Sequence, residues 1–94
     1  MPGQSFTDRQ GQYLAFIEAY TRVHGRPPAE TDMQRHFQVT PPSVHQMILT
    51  LERAGLIRRQ PGVARSIEVL VDPGALPALR ASHDQPVNSS VQRY

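Results

Sequence analysis

The residues with the clearest chemical capability in this chain are its ten basic side chains, all of which are arginine. An arginine presents a planar fork of five donors, which suits phosphate groups and the edges of bases. Five of the ten lie in residues 33–66, where Glu52 is the only acid, so this third of the chain carries a charge of +4. Residues 1–32 and 67–94 carry −1 each, from three arginines against four acids and from two against three. A basic middle between acidic flanks predicts a polyanionic partner that binds at one place.

Residues that could support catalysis are poorly spaced for it. No two of the four histidines, at positions 24, 36, 45 and 83, have the i, i+4 spacing of a helical metal site. Ser43 and His45 are two positions apart, so they cannot face each other on a helix. The sequence contains no glycine-rich phosphate loop, and no cysteine for a disulfide or a zinc finger. We therefore expect no enzyme, no catalytic residue, no metal and no cofactor.

Length and patterning indicate one small domain. The chain has 94 residues, below the roughly 100–200 that are usual for a domain. It has no run of 18 apolar residues and no basic-then-apolar leader. We therefore expect a cytoplasmic protein without a membrane partner.

The first helix is predicted from its capping residues and its apolar spacing. Thr7 and Gln10 form a capping box, and Gly25 is a stop signal. Between them, apolar residues recur with a period near 3.6, namely Tyr13, Leu14, Phe16, Ile17, Tyr20 and Val23. The same wheel places Gln12 and Ala15 on the opposite, polar side of the helix.

Two further helices and a hairpin complete the predicted fold. A short helix over 29–37 is followed, after three residues, by a helix over 41–54 with Thr40 as its N-cap, which makes a helix-turn-helix. Beyond Gly55 the pattern changes to strands, with a turn at 60–62 and an alternating run at 65–71. The predicted fold class is mainly α with a small β-hairpin, a winged helix-turn-helix of three helices and a two-stranded wing.

The predicted domain occupies residues 7–71, between an N-terminal arm at 1–6 and a tail at 72–94. In the tail, Asp72 and Pro73 can cap one helical turn that carries Leu76 and Leu79. Residues 82–94 have no periodicity, so they are expected to be disordered, and residues 81–94 are expected to be dispensable for folding.

The third helix is predicted to present a polar face to a partner. On a wheel of 100° per residue, Val44, Met47, Ile48 and Leu51 form a buried stripe. The far side carries short polar groups, an amide and an arginine, with His45 at its margin. Because an α-helix fits the major groove of DNA, we expect Ser43, His45 and Gln46 to read bases. The amino end of this helix and the arginines are expected to hold phosphates; the backbone-contacting candidates are Thr50, Arg53, Arg58, Arg59 and Arg65.

Six stretches of the chain carry a resemblance to a known family. They are residues 7–10, 16–17, 24–28, 42–45, 51–59 and 61–67, with short spacers between them. In this order they resemble the N-terminal DNA-binding domain of the LexA repressor family, over about residues 5–70. The resemblance implies a winged helix-turn-helix that reads an operator with its third helix. It also implies that the base-contacting positions are Thr40, Pro42, Ser43, His45 and Gln46.

The sequence departs from that family in three ways. LexA repressors carry a C-terminal domain with a self-cleaving serine–lysine dyad and the dimer contact, whereas these 94 residues contain no lysine. We therefore expect no self-cleavage from this chain. Gln38 replaces the glycine usual in the turn, which predicts a non-glycine residue at positive φ. Pro42 replaces a residue that could hydrogen-bond a base, so the family's operator sequence is not expected to transfer.

The sequence predicts a sequence-specific transcriptional regulator that binds double-stranded DNA, from a bacterium or its phage. Two alternatives remain open, a winged-helix protein-interaction module and an accessory protein that binds nucleic acid by shape alone. Leu49, Leu76 and Leu79 favour the first alternative, whereas the charge of the middle third favours a polyanion. A homodimer or a partner protein would contact the first helix or residues 72–80.

Overall fold

The three helices begin and end at their capping residues. The computed structural model describes residues 5–81. Helix α1 spans Asp8–His24, after a capping box in which Thr7 Oγ1 accepts from the backbone N–H of Gln10 at 3.1 Å. The Gln10 side chain accepts from the Thr7 N–H at 2.9 Å. Gly25 ends the helix with φ +76°, a conformation that glycine adopts without steric cost.

Helices α2 and α3 are joined by a short turn, as predicted. Helix α2 spans Glu30–Phe37, and α3 spans Pro41–Arg53. Gln38 ends α2 in the left-handed region, with φ +55° and ψ +51°. The predicted positive φ at a non-glycine residue is therefore confirmed.

The hairpin is shorter than its apolar alternation suggests. Strands β1 (Ile57–Arg58) and β2 (Glu68–Val69) pair antiparallel, with Ile57 opposite Val69 and Arg58 opposite Glu68. One further backbone bond, from the Leu70 N–H to the Leu56 carbonyl at 2.9 Å, extends the pairing. We call residues 59–67, which join the strands, the wing loop. Three helices and a two-stranded sheet confirm the winged helix-turn-helix.

The core lies where α1, α2, α3 and the sheet meet. Its fully buried residues come from the three α-helices and from β1 with the residue before it, namely Tyr13, Leu14, Ile17, Met33, Val44, Ile48, Leu51, Leu56 and Ile57. The ring of Tyr13 stacks on Phe37 with centroids 4.1 Å apart, which fixes α2 against α1. Val23 belongs to the predicted apolar stripe but is exposed, because α1 extends past the core at its C-terminal end.

The side of α1 predicted to be polar is covered by residues 72–80, which we call the strap. Both Gln12 and Ala15 are buried, which corrects the wheel. Gln12 donates from Nε2 to the Ala78 carbonyl at 2.9 Å and accepts from the Arg80 N–H at 2.8 Å. The side-chain amide of Gln12 therefore has a backbone partner for both its nitrogen and its oxygen, although the strap covers it. One 3-10 turn, Pro73–Ala75, capped by Asp72, begins the strap, but it ends before Leu76 and Leu79, which the predicted turn was expected to carry.

Candidate nucleic-acid interface

The amino end of α3 is built around two hydroxyl groups. Thr40 caps the helix by accepting from the Ser43 N–H at 3.4 Å, and the two hydroxyl oxygens lie 3.0 Å apart. Pro41 and Pro42 occupy the first two helical positions and carry no N–H. The first turn of α3 therefore offers few backbone donors to an anion. This is contrary to the expectation that the helix end itself holds phosphate, because the sequence fills those positions with proline.

Helix α3 has one buried face and one exposed polar face. Val44, Ile48 and Leu51 have no exposed surface, so the rotation of the predicted wheel is confirmed. The exposed residues of the amino-terminal half are Thr40, Pro41, Pro42, Ser43, His45 and Gln46, which include all five candidates. The five candidate base-reading positions therefore lie together on the surface. Their side chains offer hydroxyl, amide and imidazole groups, which can all exchange hydrogen bonds with base edges.

A groove runs beside this face, between α3 and the start of α1. It is lined by Thr7 and Gln10 together with residues of α3, namely Pro42, Ser43, Gln46, Met47 and Thr50. The sequence gives no sign that the capping box of α1 lies next to Gln46, because only tertiary packing brings them together.

His45 has an acidic neighbour from another helix. Its Nδ1 lies 3.4 Å from Glu30 Oε2, and both side chains are partly exposed. If that nitrogen carries the proton, Nε2 is left as an acceptor. Glu30, the first residue of α2, is therefore a neighbour of the candidate site that the sequence does not reveal.

The predicted backbone-contacting residues differ in the hydrogen bonds and ion pairs that they already make within the domain. Thr50 donates its hydroxyl to the Gln46 carbonyl at 2.9 Å. Arg53 is exposed and makes no ion pair within residues 5–81. Arg58 pairs with Glu68 across the sheet at 2.8 Å, with both side chains more than half exposed. Arg59 pairs with Glu52 at 3.2 Å and is only 20% exposed.

Of these five residues, Arg65 makes the most hydrogen bonds within the domain. Its Nη1 donates to the hydroxyl of Tyr20 at 3.2 Å, to the carbonyl of Pro27 at 3.3 Å and to Asp32 Oδ2 at 3.1 Å. The guanidinium thus bridges the wing loop to α1, to the α1–α2 connection and to α2. This geometry favours a structural role over the phosphate contact predicted from the sequence.

Acids from the flanking thirds reduce the positive charge of the middle third. Glu68 faces Arg58 on the wing, and Asp32 lies between Arg35 and Arg65. Burial acts to raise the pKa of Asp32, but the Ala29 N–H, Arg65, Tyr20 and Arg35 together hold it below its ordinary value. Asp32 is therefore ionised at neutral pH, and Arg53 is the candidate whose charge is least offset.

Comparison with known proteins identifies the family to which this chain belongs. Residues 3–66 match the family described as the LexA DNA binding domain, which is more than half of the chain. The chain belongs to the LexA DNA-binding domain family.

Several LexA repressors are similar to this chain. That of Thermosipho africanus is 37% identical over 70 residues, which is 74% of this chain and 35% of the relative. That of Pseudothermotoga lettingae is 39% identical over 67 residues, or 71% of this chain and 33% of the relative. That of Geobacter metallireducens is 33% identical over 99 aligned positions, which cover 97% of this chain and 49% of the relative. The chain thus spans between a third and a half of these relatives.

The LexA family match includes α1, α2, α3, β1 and the wing loop as far as Ser66, and it stops before β2 and the strap. The strap therefore lies outside the matched segment. The described residues contain no group of three histidine, cysteine, aspartate or glutamate side chains placed to hold a metal. None of the helices within residues 5–81 is both long enough and apolar enough to cross a bilayer.

Proposed function

We propose that this chain is a site-specific double-stranded DNA-binding repressor of transcription, active in the cytoplasm of a bacterium or encoded by its phage. The observation that carries the proposal is the exposed polar face of α3, placed opposite a fully buried stripe in a LexA-family domain. Such a helix is held rigidly by the core while its outer face enters the major groove. The relatives named LexA repressors support repression as the outcome of binding.

Base reading falls to the amino-terminal half of α3. Gln46 can donate to and accept from an adenine edge, and Ser43 can pair with several bases. His45, beside Glu30, adds an imidazole to this set. Thr40 presents its hydroxyl at the helix start, and Pro42 supplies apolar contact of the kind that thymine methyl groups accept.

Phosphate binding falls to the arginines, and Arg53 is the first candidate. Arg58 can exchange its carboxylate partner for phosphate at small cost, because exposed ion pairs contribute only about 0–1 kcal/mol. Arg59 follows Arg58 in the set, because its pair with Glu52 is more buried. Thr50 lies on the same face of α3 and can add a hydroxyl contact. Arg65 is left out of the phosphate-binding set, because its guanidinium already serves three oxygens within the domain.

A domain of this size binds DNA through a modest interface. Single modules bury roughly 600–1,000 Å² of protein surface on DNA. Tight binding therefore needs two copies on two half-sites, or a partner protein. We propose that the free surface of α1 or the strap makes this contact.

Replacing Gln46 by alanine separates base reading from general affinity for DNA. On a duplex selected by the wild-type chain from a random pool, Gln46→Ala is expected to lose about 1–3 kcal/mol of binding free energy. On a scrambled duplex it is expected to lose little. Arg53→Ala is expected to weaken binding to both duplexes alike and to reduce the salt slope by about one.

These affinities are measured by fluorescence anisotropy across a salt series. Arg22→Ala is the matched control on a single half-site duplex, where one copy binds and a contact between copies through α1 does not contribute; Arg22 pairs with Glu18 and belongs to neither α3 nor the wing loop. Equal losses on both duplexes would remove Gln46 from the reading set. A wild-type chain that binds no duplex at moderate salt would favour the protein-interaction module, and tight binding without sequence preference would favour shape-only binding.

A further inference from the structure

Arg65 combines an unusual backbone conformation with a side chain that makes three hydrogen bonds. Its φ is +57°, and within residues 5–81 only Gln38 shares a positive φ among non-glycine residues. A side chain at positive φ is sterically disfavoured, so the surrounding contacts must hold it there. The side chain is 31% exposed, and its Nη1 meets the oxygens of Tyr20, Pro27 and Asp32.

These contacts tie the wing loop to the helices at a point where it needs support. The sheet has only two paired positions, and a hairpin of that size is marginally stable on its own. Arg65 belongs to the wing loop, whereas Tyr20 and Asp32 belong to α1 and α2. The position of the wing relative to the helices therefore depends on this bridge as well as on the short sheet.

One carboxylate oxygen of Asp32 binds both Arg65 and the N-cap backbone of α2, so the bridge is coupled to the start of that helix. Its Oδ2 accepts from the Ala29 N–H at 2.8 Å and from Arg65 at 3.1 Å. Tyr20 completes the cluster, because its hydroxyl accepts from Arg65 and it also helps to lower the pKa of Asp32. Moving Arg65 onto a phosphate would leave the Asp32 charge without its wing partner.

We propose that Arg65, held by Asp32 and Tyr20, is a positioning residue that fixes the wing for DNA contact and does not itself bind phosphate. The inference rests on the DNA-binding function proposed above. It reverses the expected effect of one substitution on DNA affinity, because loss of an acid ordinarily strengthens binding to a polyanion. Here loss of the Asp32 charge removes a contact that holds Arg65 and the wing loop in place, so DNA binding weakens.

The test uses three variants of the cluster and one matched acid on the full chain. Asp32→Asn and Tyr20→Phe are each expected to weaken DNA binding, on the order of fivefold, as the wing loses a contact. Arg65→Gly, which keeps the positive φ without strain, is expected to weaken binding with an unchanged salt slope. Glu18 pairs with Arg22 and is not among the hydrogen-bond partners of Arg65, so Glu18→Gln on a single half-site duplex is expected to bind as well as the wild type or better.

Hydrogen exchange of the free protein gives a readout that is independent of DNA. The amides of Val63 and Leu70 donate to Gln60 and Leu56, so they report the order of the wing. Both are expected to exchange faster in all three cluster variants, while α1 amides keep their protection. Tyr20→Phe removes one oxygen only, so it keeps the test valid if a harsher variant unfolds.

The possible results distinguish this inference from the proposed function. Stronger binding by Asp32→Asn, or a salt slope lower by about one in Arg65→Gly, would show that Arg65 contacts phosphate directly. Unchanged wing exchange in all three variants would also overturn the inference. Failure of the wild type to bind DNA would refute the proposed function, and the exchange data would still decide whether Arg65 holds the wing.

Discussion

Replacing Leu51 by alanine will lower the free energy of unfolding by about 2–5 kcal/mol. Leu51 has no exposed surface and lies in the buried stripe of α3 with Val44 and Ile48. The residues around it come from separate elements, so they cannot all collapse into the space that alanine leaves. The change is measured by urea denaturation followed by circular dichroism.

Leu70→Ala is the matched control for this prediction. Leu70 follows β2 and is 43% exposed, so the same truncation removes little buried surface. We expect a loss of under about 1 kcal/mol, in line with other surface substitutions. Equal losses at Leu51 and Leu70 would contradict the core described above, because the buried stripe would then contribute no more than the surface.

Local signals were enough to predict the helices. Thr7, Gly25 and Thr40 each act on backbone groups within four residues of themselves, so their effect can be read from the sequence without the fold. The same holds for the exposed face of α3, because its wheel needs only the helical period and the position of its apolar residues. The base-reading roles stay predictions, since they depend on a partner.

Features that depend on distant residues were not predicted. Gln12 looks like a surface residue because it is polar, yet the strap that buries it begins 60 positions later in the chain. The strap itself has no apolar period, because it meets α1 through backbone hydrogen bonds and a few side chains such as Leu76 and Pro77 rather than through a periodic stripe. Arg65 looked like a phosphate ligand by charge alone, and only the fold places Asp32 and Tyr20 beside it.

Removing residues 72–94 will lower the free energy of unfolding by about 2–4 kcal/mol. The two hydrogen bonds of Gln12 contribute roughly 1 kcal/mol each, and the partly buried Leu76 contributes about 1–2 kcal/mol.

The close approach of the strap also explains a glycine inside α1. A Cβ at Gly11 would lie 3.1 Å from Pro77 Cγ and 3.0 Å from the ring of Phe6, so a larger residue would displace one of them.

Two further variants locate the stabilising contact within the tail. Deleting only residues 81–94 keeps every strap contact named above, so we expect the midpoint of urea denaturation to remain near that of the full chain. Gln12→Ala in the full chain leaves the Ala78 carbonyl and the Arg80 N–H unpaired, and we expect a loss of about 1–3 kcal/mol. In the chain lacking residues 72–94 the same substitution should cost less, because its partners are already gone. Equal costs in both backgrounds would show that Gln12 does not act through the strap, and equal losses from both deletions would place the stabilising contact beyond Arg80.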